Sequence, residues 1–269
     1  MRGAAGAVTV LAPAKLTLSL RVTGVRPDGY HLLDAEMVTL DLADRLTFAP
    51  GRGVRVVDEV VGGLGTAAVP GGADNLVARA LAAVGRRAAV EVVKRIPVGA
   101  GLGGGSADAA AVLRWAGVDD CAVAVSLGAD VPFCLAGGRA RVTGVGEGLS
   151  PLPFQERSFV LLIPPLVVPT PDVYRAWDAR RAGDGAGPGT PDPHGNDLEA
   201  AALDVAPALA RWRDLLGERT GRRPRLAGSG ATWFVEGEPG ELGLAGCEAL
   251  VLDGLRAPLV AARTVPAPA

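Results

Sequence analysis

The sequence predicts an α+β fold in two lobes. Two observations carry this expectation. Apolar alternation of period two and helical patterns are mixed along the chain without the regular strand–helix–strand rhythm of a parallel sheet, and no internal repeat of fixed period is present. The pattern then restarts near Pro151, which divides the chain into an N-terminal unit, 1–150, and a C-terminal unit, 151–269. At 269 residues the chain exceeds a typical single domain and is long enough to bury a sizeable core.

The first element is a strand. Val8 and Val10, then Leu16, Leu18, Leu20 and Val22 alternate with small or polar residues. That alternation runs straight through the A-x-A end of "MRGAAGAVTVLAPA", where a secretory signal would be cut. "RPDG" is a turn signal, and "EMVTLDLADRLTF" resumes the alternation. "DNLVARALAAVG" predicts a helix with Asp74 as N-cap and Gly85 as C-cap. "AVEVVKRIP" is a strand that delivers the chain into a cluster of glycines, and "SADAAAVLRWAG" is a helix capped by Ser106, with Asp108 in its first turn and Gly117 at its end. The apolar segment "CAVAVSLG" leads to Ala129 and Asp130, and "VPFCLAGG" and "RARVTGVG" are expected to be strands. Beyond Pro151, "SFVLLIPPL" is a buried strand and "PDVYRAWDARR" a helix, followed by a Gly- and Pro-rich flexible loop, "AGDGAGPGTPDPHGN". Helices over Asp197–Val205 and Pro207–Leu216 precede a strand, turn and strand in "RPRLAGSGATWFVEG".

Composition removes several function classes. With 27 basic and 29 acidic residues the formal net charge is −2, so no global field draws nucleic acid or a membrane surface. No apolar run has the length of a membrane span. Cys121, Cys134 and Cys247 are odd in number and in no C-x-x-C arrangement, which predicts reduced thiols, buried as small hydrophobes, in a cytoplasmic protein. His31 and His194 are the only histidines, and neither has a second ligand at zinc-site spacing, so no structural metal is expected.

The glycine cluster carries the chemistry. Gly99, Gly101, Gly103, Gly104 and Gly105 fall within seven positions, and each glycine costs about 0.5–1 kcal/mol relative to alanine, so the cluster needs positive φ or a close approach to the backbone. A strand running through glycines into a helix N-terminus binds phosphate, because bare N–H groups and the helix dipole face the anion. A Walker A loop is excluded, since Gly105 stands where its lysine belongs. Gly99, Gly101 and Gly104 match the dinucleotide pattern G-x-G-x-x-G, but Asp119 and Asp120 open a segment where that pattern needs an acid ending a second strand. A plain reversing turn does not explain glycines at alternating and then consecutive positions.

"PVGAGLGGGSADAAAVL" resembles the phosphate-binding loop of the GHMP small-molecule kinases. "APAKLTLSLRVTGVRPDGYHLL", "LGADVPF" and "LAGSGATWFVEG" narrow the resemblance to the 4-diphosphocytidyl-2-C-methyl-D-erythritol kinases within that superfamily. The order and approximate spacing of the four segments agree from about Ala12 onward. The resemblance implies a GHMP kinase fold, with a ribosomal-S5-like N-terminal lobe, a ferredoxin-like C-terminal lobe and an active site between them. It implies ATP and Mg²⁺ as cofactors and 4-diphosphocytidyl-2-C-methyl-D-erythritol as the small-molecule substrate, with neither nucleic acid nor membrane as partner, and it fixes no oligomeric state. By the same resemblance Lys15 and Asp130 are catalytic, while Pro97, Gly99, Gly101, Leu102, Gly103, Gly104, Gly105, Ser106 and Ala107 hold ATP. Thr17, Tyr30, His31, Tyr174, Gly228, Ser229 and Gly230 line the substrate site. A lysine that keeps an aspartate ionised and stabilises phosphoryl charge suits phosphoryl transfer.

Two features depart from the family. Thr17 stands where it commonly has asparagine, and the interval between "GGGSADAAA" and "LGADVPF" is short. Two alternatives remain at this level: another GHMP kinase, acting on homoserine or mevalonate, and a nucleotide-binding relative that has lost catalysis.

Overall fold

A computed structural model describes residues 6–63, 72–184 and 195–268. Most of the predicted Gly/Pro-rich loop, His194 included, lies outside the described residues.

The N-terminal lobe is built on two long strands, β1 (Val8–Val25) and β2 (His31–Ala49), paired antiparallel around a turn that Gly29 closes at φ +86°. One edge of β2 carries β1. The other is shared by β4 (Ala89–Lys94), which pairs with Arg45–Ala49, and β5 (Arg139–Gly144), which pairs with Leu33–Val38. β3 (Gly53–Asp58) adds in parallel to β4, and β6 (Gly148–Pro151) antiparallel to β5. The helices of this lobe are α1 (Leu76–Ala83), α2 (Gly104–Ala116), α3 (Cys121–Leu127) and α4 (Val131–Ala136). Ala107, Ala109, Ala110 and Ala111 of α2 are fully buried, and their small side chains allow the helix to approach the sheet closely.

The C-terminal lobe holds an antiparallel sheet in the order β10-β11-β7-β9-β8, formed by Ala249–Leu252, Leu255–Arg263, Ser158–Leu162, Trp233–Glu236 and Arg225–Leu226. It is accompanied by α5 (Thr170–Asp184), α6 (Glu199–Val205) and α7 (Ala208–Thr220). The mixture is the α+β class expected.

The cores of the two lobes are interlocked. Phe159 and Leu161 of β7 pack with Leu16, Leu46 and the alanine face of α2, whereas Val160 and Leu162, on the other face of the same strand, pack with Leu20, Met37, Trp212 and Trp233. Period-two alternation thus gives one strand to two cores. Each such side chain contributes about 1.5–3 kcal/mol on full burial, so the lobes hold each other's position strongly.

Several local expectations are corrected. "VPFCLAGG" is not a strand: it forms α4, with Pro132 in its first turn, where the fixed φ and missing N–H of proline are harmless. Asn75, not Asp74, caps α1, its Oδ1 accepting the Val77 N–H at 2.9 Å. Helix α2 begins two residues before Ser106, at Gly104, and its cap position is held by Gly103 in the left-handed conformation with φ +71°. Ser106 therefore lies within the first turn. Cys134 is buried, and burial pushes its thiol up to about 12, but Cys121 is exposed and Cys247 half-buried. Among the described residues no helix is long and apolar enough to cross a membrane.

Candidate active site

A cleft of about 830 Å³ is lined by residues of both lobes, including Lys15, Asp130, the glycine loop, Tyr174 and Ser229. The placement of Lys15 begins with irregularities in β1. The register with β2 shifts between Pro13 and Lys15 and again between Thr17 and Ser19. Bulges re-aim side chains and free backbone groups from the ladder, and here the Lys15 N–H donates to Leu102 O of the glycine loop at 3.0 Å. The Lys15 ammonium donates to Thr17 Oγ1 at 3.1 Å and lies 3.5 Å from Asp130 Oδ2. Lys15 is buried, but the Asp130 side chain keeps 34% of its exposure. Asp130 sits at the N-cap of α4 without a side-chain capping bond, which leaves its carboxylate available to the cleft. The short interval before Asp130 is spanned by α3, whose N-cap, Asp120, accepts the Ala122 N–H at 2.8 Å. Asp120 thereby has a capping role rather than the ribose-binding one considered for the dinucleotide pattern.

The glycine loop has physical reasons for its composition. Gly99, Gly101 and Gly103 all have φ between +71° and +76°. A Cβ on Gly101 would lie 2.5 Å from Ala227 O and 2.8 Å from Gly230 O, and one on Gly103 would lie 2.8 Å from Lys15 Cγ. The turn that holds Gly228, Ser229 and Gly230 therefore abuts the loop backbone to backbone, and Lys15 packs beneath the loop's end. The Ala107 N–H makes the first helical bond, to Gly103 O at 2.8 Å. By helix geometry the amides of Gly104, Gly105 and Ser106 have no intrahelical acceptor, the arrangement that receives anions. Pro97 and Leu102 line the same wall, with Leu102 anchored in the core at 1% exposure, whereas Ala107 faces the core.

At the other end of the cleft the aromatic residues do not form one simple sandwich. Tyr30, at the tip of the β1–β2 hairpin, is 63% exposed, with the Arg26 guanidinium 5.9 Å from its ring centre. His31 stacks on Tyr174, ring centres 4.5 Å apart, and meets Trp177 edge-on at 5.5 Å. Its Nε2 pairs with Asp178 Oδ1 at 2.8 Å, so α5 holds the imidazole from two sides. Burial, and secondarily the charge of Asp130, push the Tyr174 phenol well above its ordinary range.

Four residues at or near this site were not singled out from the sequence for a functional role: Asn75, Asn196, Asp178 and Lys94. Asn196 Nδ2 donates to Leu226 O at 2.9 Å and Gly228 O at 2.7 Å, fixing the segment of Gly228, Ser229 and Gly230. Ser229 Oγ is 2.8 Å from Thr170 Oγ1. Lys94 is buried between Asp44 and Asp108 at the end of β4, whose other charged residue, Glu91, pairs with Arg55.

Burial pushes the Asp108 carboxyl up to about 7; the Lys94 ammonium opposes the shift and the Asp44 carboxylate adds to it. The proton is held more tightly in the folded than in the unfolded chain, so Asp108 favours folding at low pH, and that contribution is lost as pH rises through about 7. Asp108→Asn is therefore expected to gain stability relative to the unaltered protein as pH rises from roughly 5 to 8. Urea midpoints across that range check it, and a pH-independent difference would contradict it.

A family model described as "GHMP kinases N terminal domain" matches residues 75–138, the stretch from the α1 cap to the end of α4. The fold, with its glycine loop set against a lysine–aspartate pair, defines a small-molecule kinase of the GHMP class. The 4-diphosphocytidyl-2-C-methyl-D-erythritol kinase of Cereibacter sphaeroides is 42% identical over 245 residues, covering 83% of this chain and 87% of its own. That of Paracoccus denitrificans is 44% identical over 241 residues, covering 83% and 84%. A crystal structure of 4-(cytidine 5'-diphospho)-2C-methyl-D-erythritol kinase superposes with a TM-score of 0.70 at 35% identity, over 96% of this chain and 100% of that one. The chain belongs to the 4-diphosphocytidyl-2-C-methyl-D-erythritol kinase family.

Proposed function

We propose that this protein transfers the γ-phosphoryl group of ATP to the 2-hydroxyl of 4-diphosphocytidyl-2-C-methyl-D-erythritol, a step of the non-mevalonate route to isoprenoids. The observation that carries this reading is the Lys15–Asp130 pair, 3.5 Å apart in the cleft that joins the glycine loop to the aromatic end. Asp130 accepts the proton of the attacking hydroxyl. Lys15, buried and fixed by Thr17, stabilises the charge that spreads over the transferring phosphoryl oxygens. Thr17 spends its hydroxyl on Lys15, so the shorter side chain serves the catalytic cation as well as the substrate wall.

The loop from Pro97 to Ser106 is read as the ATP site, and Ala107, buried and bonded to Gly103 O, only anchors its end; side chains at Gly101 or Gly103 would force apart the groups that shape it. Mg²⁺ fits this wall as a phosphate-bound ion, since such an ion keeps several waters and takes only one or two protein oxygens. Ser106, whose hydroxyl is on the cleft, would hold it, and when bound it supplies neutralisation of the triphosphate charge. Tyr30, His31, Tyr174 and the Gly228–Gly230 segment form the substrate wall. We read 1–150 and 151–269 as the two lobes and the protein as cytoplasmic, acting on a small molecule and on neither nucleic acid nor membrane.

Product analysis by ³¹P NMR tests the reaction. A new phosphomonoester signal with the diphosphate bridge retained is expected, and release of inorganic phosphate alone would contradict it. Tyr174→Ala and His31→Ala are expected to raise KM for the cytidine compound roughly tenfold and leave KM for ATP nearly unchanged, because loss of base stacking is worth about 1–3 kcal/mol. Equal changes in the two KM values would remove these residues from the base site.

A further inference from the structure

The proposed mechanism leaves unused a buried cluster of charge directly beneath the glycine loop. Lys94 is the last residue of β4, and Asp108 lies in the second turn of α2, so the two bracket the loop that runs between them. The Lys94 ammonium donates to Asp108 Oδ2 at 2.7 Å and to Asp44 Oδ2 on β2. The other oxygen of Asp44 accepts the N–H groups of Arg95 at 2.5 Å and Ile96 at 2.8 Å, the first two residues of the loop. Three elements are thus tied at one point where the loop departs and returns. All three side chains are buried, Asp44 completely.

Stability alone is a poor reason for this arrangement. Desolvating an ion pair costs several kcal/mol, and well-packed apolar residues commonly hold a core as well or better. On one side lie the buried apolar residues Val92, Ile96 and Ala107, and on the other Lys94 and Asp108 reach the wall of the cleft. Asp108 Oδ1 is buried without a hydrogen-bond partner, so the cluster is not even fully satisfied. What ions offer in place of apolar packing is direction and a fixed distance. The ammonium lies close under the first residue of α2, where a Cβ on Gly104 would come within 3.2 Å of Lys94 Nζ. The amides that follow Gly103 are those that face the cleft.

We propose that Asp44, Lys94 and Asp108 form a clasp across the base of the glycine loop, positioning residues that hold the N-terminus of α2 against β4 at the separation the ATP phosphates require. The inference rests on reading the loop as the ATP site. The clasp touches neither the reacting atoms nor the aromatic end, so its loss acts on ATP binding more than on turnover or on the cytidine compound.

The test uses Asp108→Ala and Asp108→Asn in the full chain, with ATP affinity measured by calorimetry and both KM values measured by ADP release. Asp108→Ala is expected to weaken ATP binding roughly tenfold while kcat at saturating ATP falls by less than about threefold and KM for the cytidine compound holds. Asp108→Asn, which keeps an acceptor for Lys94, is expected to recover ATP affinity to within about threefold of the unaltered protein. If Asp108→Ala does not fold, the pair Lys94→Met with Asp108→Leu, an uncharged repacking, is expected to fold and to show the same selective loss. Unaltered ATP affinity in a folded clasp variant, or equal changes in the two KM values, would overturn the inference while leaving the ATP reading in place. An unaltered protein without measurable ATP affinity would overturn that reading and the inference together.

Discussion

Asp130→Asn is expected to lower kcat by roughly 100-fold or more while ATP affinity stays within a factor of about two. The amide keeps the shape of the carboxylate but cannot accept the hydroxyl proton, and contributions of that order are typical of a general base. The position favours a clean experiment. Asp130 makes no capping bond to α4 and keeps a third of its exposure, so little of the fold depends on its charge. Lys15 retains Thr17 Oγ1 as a partner when the charge is removed. Steady-state turnover, with calorimetry for ATP and a thermal melt to show a native fold, decides it; near-normal kcat in a folded variant would take Asp130 out of the mechanism.

Gly101→Ala is expected to weaken ATP binding at least roughly tenfold. Its φ of +76° disfavours any side chain, a strain of about 1–2 kcal/mol, and the added methyl would press on two carbonyl oxygens, Ala227 O and Gly230 O. Those atoms are backbone and cannot swing away. The loop and the turn that holds Gly228, Ser229 and Gly230 must part, and both form walls of the cleft. Gly103→Ala offers an informative contrast, because its methyl would meet the Lys15 stem, which is able to move. It should cost turnover as well as ATP affinity, through displacement of the Lys15 ammonium. Calorimetry and kcat on both variants distinguish the two modes, and unchanged ATP affinity in Gly101→Ala would mean that the loop tolerates separation.

What was legible in the sequence follows from where the signals are local. Alternation through Leu16, Leu18, Leu20 and Val22 marked β1, and all four are buried. The glycines marked the loop, because positive φ is imposed residue by residue. By contrast, "VPFCLAGG" reads as a strand yet forms α4, because a short apolar run does not distinguish strand from helix, although Pro132 just after Asp130 is a helix-start signal. The α1 cap shifted by one residue because both Asp74 and Asn75 suit that position. The strands β3, β6, β10 and β11 were not anticipated at all; β6 is only four residues long, and the lone pairing of β10 is with its neighbour β11.

Long-range associations were the least visible. Asp44 and Lys94 are fifty positions apart, and each alone resembles a solvated surface charge; only the fold brings them into a single buried cluster. The pairing of His31 with Asp178 crosses between lobes in the same way. The resemblance supplied Lys15 and Asp130 as partners, but the bulges that turn Lys15 toward the loop became apparent only from the register of β1 on β2.

The proposed function commits this kinase to a cytidine-bearing acceptor. Coupled detection of ADP release measures it most directly, with 4-diphosphocytidyl-2-C-methyl-D-erythritol, homoserine and mevalonate offered separately at equal concentration beside an acceptor-free control. ADP release is expected with the cytidine compound alone, competed by free CMP at the acceptor site and not at the ATP site. Comparable turnover of homoserine or mevalonate, or ADP release that does not depend on any acceptor, would contradict it.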